Sequence, residues 1–442
     1  MAGLSRASGS RRRWLRAASG TCLAACAGLG VGCARQSDRV LRFWAMGREG
    51  EVAAQLMSGF EREHPGLRVR VEQLPWSAAH EKLLTAFAGD ATPDLAQMGN
   101  TWLPEMAALG ALQPLEALID ATSAIDRADH FDGIWATNRI DGATVGVPWY
   151  VDTRLLFYRR DLLQAAGYAE VPTDWKAWVD CMLALQRTKS QPVATPVLLP
   201  TNEFEPLLAF ALQQDGDLLR EGGRFGHFSG PGFRQALGFY RSLFDRGLAP
   251  GLTNNQVANV WQEFGRGTFA FYISGPWNIG EFKRRLPAAL QSAWATAPLP
   301  GPRGPGASIA GGSSLVLFRR SPRQREAWQL VEYLSRPAVQ LQFYRLTGNL
   351  PPRRSTWAMP RQEGPALADD AHARAFARQL ERVRATPAVP EWERIVQEMQ
   401  LTAARVVHTQ GDMEAAARGL DARVDAMLEK RRWMLARGGR GV

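Results

Sequence analysis

GVPWYVDTRLLFYRRD, residues 146–161, decides how the rest of the chain is read. Two apolar runs are interrupted there by Pro148, Trp149, Tyr150, Asp152 and Arg154, more aromatic and polar chemistry than a continuous core strand needs. Pro148 donates no ladder hydrogen bond and holds the residue before it extended, so it suits a strand end or a crossover better than a sheet centre. Two readings stay open at this point: a ligand-facing seam between two lobes, or an edge strand with decorated ends.

The 442 residues around this stretch exceed the roughly 250 to 300 at which a single core stops growing, so two domains are expected. Hydrophobic content of 45% and charged content of 22% are those of an ordinary globular protein, but 15 tryptophans are many, and flat apolar faces suit both cores and ligands. Five of the ten net positive charges are Arg6, Arg11, Arg12, Arg13 and Arg16, within residues 1–32, which hold no acid. The remainder carries +5, with bases and acids interleaved, so composition gives no reason to expect nucleic-acid binding.

Residues 1–32 read as an export signal: a positive segment at 11–16, then an apolar run at 17–32 rich in Ala and Gly and too short for a stable membrane helix. GVGC at 30–33 resembles a bacterial lipobox, with Cys33 as the lipidated N-terminus. LAAC at 23–26 fits the same pattern and makes Cys26 the alternative. SRRRWLR at 10–16 resembles a twin-arginine signal, and a plain secretory signal is the remaining reading. Cleavage at Cys33 leaves Cys181 as a free thiol on a helical run, with neither a disulfide framework nor CxxC zinc spacing.

Along the chain, 41–44 reads as a strand ending in Trp44, 45–50 as a loop, and Val52, Leu56 and Phe60 as a helix face ending before Pro65. A strand at 67–71 completes a βαβ opening, which predicts a largely parallel sheet. Further helices are expected at 77–88 (capped by Ser77), 104–108, from 161, 175–187, 233–244, 257–264, 323–334 and, as one long element, 412–432. Strands are expected at 95–98, near 145, and at 155–158, 269–273 and 314–318; the Pro/Gly-rich 298–306 reads as a crossover with an exposed loop.

The six histidines are isolated, and neither a metal-binding HExxH, a GxSxG elbow nor a phosphate-binding glycine loop is present, so no cofactor or metal is expected. What recurs is an aromatic with a hydrogen-bonding neighbour at a strand end or break. The instances are Trp44, Asn100-Thr101-Trp102, Trp149-Tyr150 with Asp152, Asn202-Glu203-Phe204, Gly275-Pro276-Trp277, Gly311-Gly312-Ser313, and Arg353-Arg354 with Trp357. Each aromatic singly could be core. Together, at the C-terminal strand ends that line the crevice of open α/β sheets, they offer ring faces for a sugar and polar groups for its hydroxyls.

The segments LRFWAMG, FEREHPGLRVRV, TPDLAQMGNTWLPEMAALGALQPL, GVPWYVDTRLLFYRRDLL, FGRGTFAFYISGPWNI, APLPGPRGP with SIAGGSSLVL, AWQLVEYLS and TGNLPPRR occur in an order that resembles the solute-binding proteins of ABC sugar importers, over nearly the whole mature chain. QMGNTWLPE and PWSAAHEKL resemble the trehalose/maltose branch most.

The resemblance implies a periplasmic-binding-protein-like fold of two α/β lobes, 38–150 plus 299–336 and 151–298 plus 337–442, closing by a hinge on a ligand between them. It implies ligand contacts from Trp44, Arg48, Glu49, Trp76, Asn100, Thr101, Tyr150, Asp152, Asn202, Glu203, Phe204, Trp277, Gly311, Gly312, Arg353 and Arg354. Asn100 stands where some relatives carry an acid. The implied protein is a non-enzymatic, monomeric, membrane-anchored lipoprotein in the periplasm or at the cell surface, which hands a small carbohydrate to ABC permease transmembrane subunits. The rival readings are a binder of glycerol-3-phosphate or another phosphorylated cargo, through Arg353 and Arg354, and an exported glycoside hydrolase using Asp152 and Glu203.

Overall fold

The computed structural model describes residues 40–189, 192–360 and 366–437; the export signal, Cys26 and Cys33 lie outside the described residues. Nine strands build two sheets: β1 (Val40–Met46), β2 (Arg68–Leu74), β3 (Leu95–Gly99), β4 (Val147–Asp152), β5 (Leu155–Arg159), β6 (Val197–Leu198), β7 (Phe271–Ser274), β8 (Trp294–Ala297) and β9 (Gly311–Leu317). The first sheet has the order β2-β1-β3-β9-β4 and the second β8-β5-β7-β6. β1 and β3 run parallel, as the βαβ opening predicts, while β9 returns antiparallel between β3 and β4.

The stretch at 146–161 therefore serves both sheets. β4 is the edge of the first, so Pro148 sits within an edge strand rather than ending it, opposite Ser314 beside the register shift at Ser313 and Ser314. An edge position is where a missing N–H does least harm. Two residues later β5 enters the middle of the second sheet, antiparallel to β7 and β8.

Three segments of chain pass between the sheets side by side. The Ser308 hydroxyl donates to the Arg154 carbonyl (2.7 Å) and accepts from the Arg154 amide (3.2 Å). The Val151 amide donates to the Leu350 carbonyl (2.9 Å). At Gly312, with φ of +138°, an added Cβ would lie 2.2 Å from the Tyr150 carbonyl oxygen, so this close approach excludes a side chain.

The first core gathers Phe43, Phe60, Trp149, Leu315 and Phe343, with Trp149 and Phe343 stacked at 4.3 Å. The second lobe has one core around Trp178, Phe210, Tyr240 and Trp392 and another around Phe157, Phe264, Phe282 and Trp294. Trp149, Trp178, Trp294 and Trp392 are fully buried, and Trp44, Trp135, Trp175, Trp328 and Trp357 nearly so, so packing is the commoner use of tryptophan here. Cys181 is buried too, which pushes its thiol up to about 12.

Several expectations shift. The helix Gly47–Glu63 follows β1 directly, so Arg48 and Glu49 occupy its first turn rather than a loop. The helix Trp76–Ala88 starts after Pro75 without a side-chain cap, which leaves Ser77 inside it. The tail forms two helices, Met413–Met427 and Glu429–Ala436, because the chain breaks at the buried Leu428. The helix Pro337–Thr347, expected in the second lobe, lays Val339 and Phe343 into the first core. The helix Glu205–Leu212 is buried at all seven positions after Glu205, so it shows no amphipathic period to read. Among the described residues no helix is long and apolar enough to cross a membrane.

His130 is fully buried; its Nδ1–H donates to the Asp126 carbonyl (2.7 Å) and its ring packs 4.9 Å from Trp135. Burial lowers its pKa to about 4 from 6.5. The unfolded chain then takes up a proton below about pH 6.5 that the folded chain refuses until about pH 4, so stability is full above that window and falls through it, by about 3 kcal/mol from this residue. Chemical denaturation at pH 7 and pH 4.5 should show the loss, and His130→Gln should flatten the slope; an unchanged slope would remove His130 as its source.

Candidate functional site

A cavity of about 1060 Å³ opens where the strand ends of the first sheet meet the second lobe. Gly99 and Asn100 close β3, Tyr150 and Asp152 close β4, Gly311 to Ser313 open β9, and Arg48 with Glu49 form the first turn after β1. The second lobe contributes Phe204, Glu205 and Leu208, and Trp277, Glu281 and Arg284 from one face of the helix Trp277–Arg285. Asn349 comes from the third crossing, and Thr386 and Glu393 from the C-terminal segment.

Eleven of the residues expected from sequence line this cavity: Arg48, Glu49, Trp76, Asn100, Thr101, Tyr150, Asp152, Phe204, Trp277, Gly311 and Gly312. Five do not. Trp44 points into the core beside Met46, Leu83 and Met98, with the Lys82 ammonium 4.7 Å from its ring centre. Asn202 and Glu203 hold the neighbouring loop: Asn202 Oδ1 accepts from the Asn254 amide (2.8 Å) and Glu203 Oε1 from Asn254 Nδ2 (2.7 Å). Arg353 is a clamp between chain segments, donating to Asp129 Oδ2 (2.6 Å) and to the carbonyls of Ala124 (2.8 Å) and Ser335 (2.9 Å). Arg354 pairs with Glu381.

Of the other wall residues, Trp102, Arg154 and Ser313 belong to the aromatic and polar clusters of the sequence. Glu205 adjoins Phe204, and Glu281 and Arg284 follow Trp277 at helical spacing, so a local signal existed. Ile309, Thr347 and Asn349 are marked only as parts of the segments SIAGGSSLVL and TGNLPPRR, and Leu346, Thr386 and Glu393 carry no signal.

The wall is braced from behind. Gln97 accepts from the Met46 amide (2.8 Å) and donates to the Tyr150 hydroxyl (3.2 Å), to which Ser313 also donates (3.0 Å). Asn100 donates to Thr137 (2.7 Å) and accepts from Ser314 (3.1 Å), so its amide is largely engaged inside the protein. Trp76 is 39% exposed and meets Trp102 edge to face at 5.6 Å.

The carboxylates are held differently from surface ones. Glu49 accepts from Asn349 Nδ2 (2.5 Å), yet burial raises its pKa. Burial also raises Asp152, against the opposing pull of the Arg154 guanidinium. Asp152 Oδ1 is buried without a hydrogen-bond partner among the described residues, 3.6 Å from Arg154 Nη1. Glu393 is raised by burial as well, opposed by the Thr101 side chain, whose turn Asn100–Trp102 packs against the helix Trp392–Thr409. Desolvated acceptors of this kind favour a donor arriving from a ligand. Among the described residues, no group of three or more His, Cys, Asp or Glu side chains is placed to hold a metal ion.

Two α/β lobes laced by crossing segments, with a polar and aromatic cavity between them, define a periplasmic-binding-protein-like solute binder. The chain belongs to the bacterial extracellular solute-binding protein family, whose model matches residues 47–341. The solved structure of the sugar-binding protein MalE from Xanthomonas citri is 54% identical, with a TM-score of 0.86 over 90% of this chain and 99% of that one. The GacH receptor of Streptomyces glaucescens, solved unliganded and with acarbose, is 26% identical, with a TM-score of 0.74 over 88% of this chain and 98% of its own. A binding protein of Brucella abortus is 25% identical over 390 residues, 87% of this chain and 91% of its own.

The two arginines outside the cavity give opposite expectations. Arg353 and Asp129 are 11% and 13% exposed at their side chains, and Arg353→Ala leaves the Asp129 carboxylate only the Ser355 amide and hydroxyl and frees the Ala124 and Ser335 carbonyls, so it should cost about 3 kcal/mol in chemical denaturation. The Arg354 pair is 39% and 54% exposed, and Arg354→Ala should cost under about 1 kcal/mol. Equal losses would contradict the clamp.

Proposed function

We propose that this protein captures a small neutral carbohydrate in the cavity between its lobes and delivers it to the transmembrane subunits of an ABC permease. The best candidate cargo is an α-linked disaccharide such as trehalose or maltose. The observation that carries the reading is the cavity wall, where the exposed face of Trp76 and the ring of Trp277 stand in opposite lobes around the desolvated carboxylates Glu49, Asp152 and Glu393. Ring faces suit the apolar side of a sugar, and carboxylates take its hydroxyl hydrogens. The Xanthomonas citri relative is a sugar-binding protein, GacH was solved with acarbose, and a further relative, DasA of Streptomyces coelicolor, is a diacetylchitobiose binder.

In this reading the lobes 38–150 with 299–336, and 151–298 with most of 337–442, close about the three crossings. A monomer tethered by a lipid on Cys33, or on Cys26, keeps the cargo beside the permease, in the periplasm or at the cell surface. Release to a transporter suits micromolar affinity, about −8 kcal/mol. One or two stacked rings and a few charge-assisted hydrogen bonds supply that. The phosphorylated-cargo reading loses its two arginines to Asp129 and Glu381, and the hydrolase reading loses Glu203 to Asn254.

Calorimetry against mono-, di- and oligosaccharides should find one that binds at micromolar level, and binding no tighter than millimolar across the panel would sink the carbohydrate reading. With the cargo in hand, Trp277→Ala and Trp76→Ala should each weaken binding by at least about 1 kcal/mol, and an unchanged affinity would remove that ring from the site.

Burial raises Asp152 and Glu49, whereas ligand hydroxyls favour their ionised forms, so binding lowers both values and releases protons. Affinity should therefore be level at neutral pH and fall as pH drops through the raised carboxyl range, above the ordinary value near 4. Titration at pH 7 and pH 5 in buffers of different ionisation enthalpy reads this, and an affinity constant down to pH 4 contradicts the assignment.

A further inference from the structure

The three guanidiniums on the cavity wall share one property: each already holds a carboxylate. Arg48 lies 2.8 Å from Glu51, and Arg284 pairs with Glu281, both with side chains more than 60% exposed. Arg154 is different in kind. Its side chain is only 14% exposed, Nη2 lies 2.5 Å from Glu205 Oε1, and Nη1 lies 3.6 Å from Asp152 Oδ1. Its guanidinium carbon sits 4.6 Å from the centre of the Trp277 ring, and its backbone is fixed at both ends by Ser308. A buried guanidinium on a cleft wall is ordinarily an anion site, because its charge is poorly screened and its fork fits a phosphate or carboxylate.

We propose that Glu205 is a specificity-determining residue: by holding Arg154 it denies that buried positive charge to the ligand and makes the cavity select neutral glycosides over phosphorylated or acidic ones. The inference rests on the carbohydrate reading and adds the charge class of the cargo. Asp152 faces Arg154 from the end of β4, and Glu205 and, at longer range, Glu203 face it from the second lobe. An arriving anion also meets Glu49, Glu281 and Glu393 on the wall. Asp152 and Glu205 divide the work, since Asp152 Oδ1 remains without a hydrogen-bond partner while Glu205 makes the direct contact with Arg154. Glu205 also occupies the first turn of the helix Glu205–Leu212, where the helix dipole favours a negative charge.

The test titrates trehalose and trehalose 6-phosphate, and maltose and maltose 6′-phosphate, into the unsubstituted chain and Glu205→Gln at low and high salt. In the unsubstituted chain the ester should bind at least tenfold more weakly than its parent sugar. Glu205→Gln should narrow that ratio at least fivefold, and the gained ester binding should weaken with salt. Glu205→Asp, which keeps the charge, should leave the ratio within twofold of the original, and adding Arg154→Gln to Glu205→Gln should abolish the gain. A ratio unchanged in Glu205→Gln, or ester binding as tight as the sugar in the unsubstituted chain, overturns the proposal. If neither sugar pair binds, the trehalose and maltose assignment has failed. Inorganic phosphate then still decides the role of Glu205: binding to Glu205→Gln alone supports it, and any other pattern overturns it.

Discussion

One buried hydroxyl holds the molecule's most consequential junction. Ser308 gives its proton to the Arg154 carbonyl and takes the Arg154 amide proton in return, which satisfies both backbone groups where the chain has left one sheet and not yet settled in the next. With the Val151–Leu350 bond alongside, three passages of chain become one narrow strip. Everything functional is hung from it. Asp152 and Arg154 project from the first passage, Gly311 and Gly312 follow the second, and Asn349 ends the third. Because the strip is short and hydrogen-bonded across, the side chains it carries are held in fixed mutual geometry.

Burial and charge are balanced differently on the two sides of that strip. Removal from water makes Glu49, Asp152 and Glu393 reluctant anions and therefore strong acceptors. Around Arg154 the same desolvation is outweighed by carboxylates on two sides, and the guanidinium stays charged. The wall thus offers desolvated acceptors beside cations that are already paired. Aromatic side chains divide in the same way: Trp149, Trp178, Trp294 and Trp392 are sealed in cores, while Trp76 keeps an open face.

Much of this was legible in the sequence because local pattern and local role coincide. The apolar spacing of Val52, Leu56 and Phe60 can only be a helix face, and the stretch around Pro148 announces a seam by its mixed chemistry. Trp44 misled because an aromatic at a strand end looks alike whichever side of the sheet it faces, and the pleat turned it inward. Arg353 and Arg354 misled because sequence does not show which carboxylate a guanidinium will find; Asp129 is over two hundred residues away. Glu393 and Thr386 reach the wall only through tertiary packing, and no neighbour in the chain marks them.

The turn Asn100–Trp102, just beyond β3, packs against the helix Trp392–Thr409, with Thr101 and Glu393 both on the cavity wall, and so the two lobes touch there without involving any cargo. A contact made on closing has the same worth whatever lies inside. If it contributes about 1 kcal/mol, the ratio of shut to open molecules rises roughly fivefold, and the apparent affinity for every cargo rises while the shut form remains the minority. Such a contact between the lobes sets how tightly the protein holds and is indifferent to what it holds, so strength and selectivity reside in different residues.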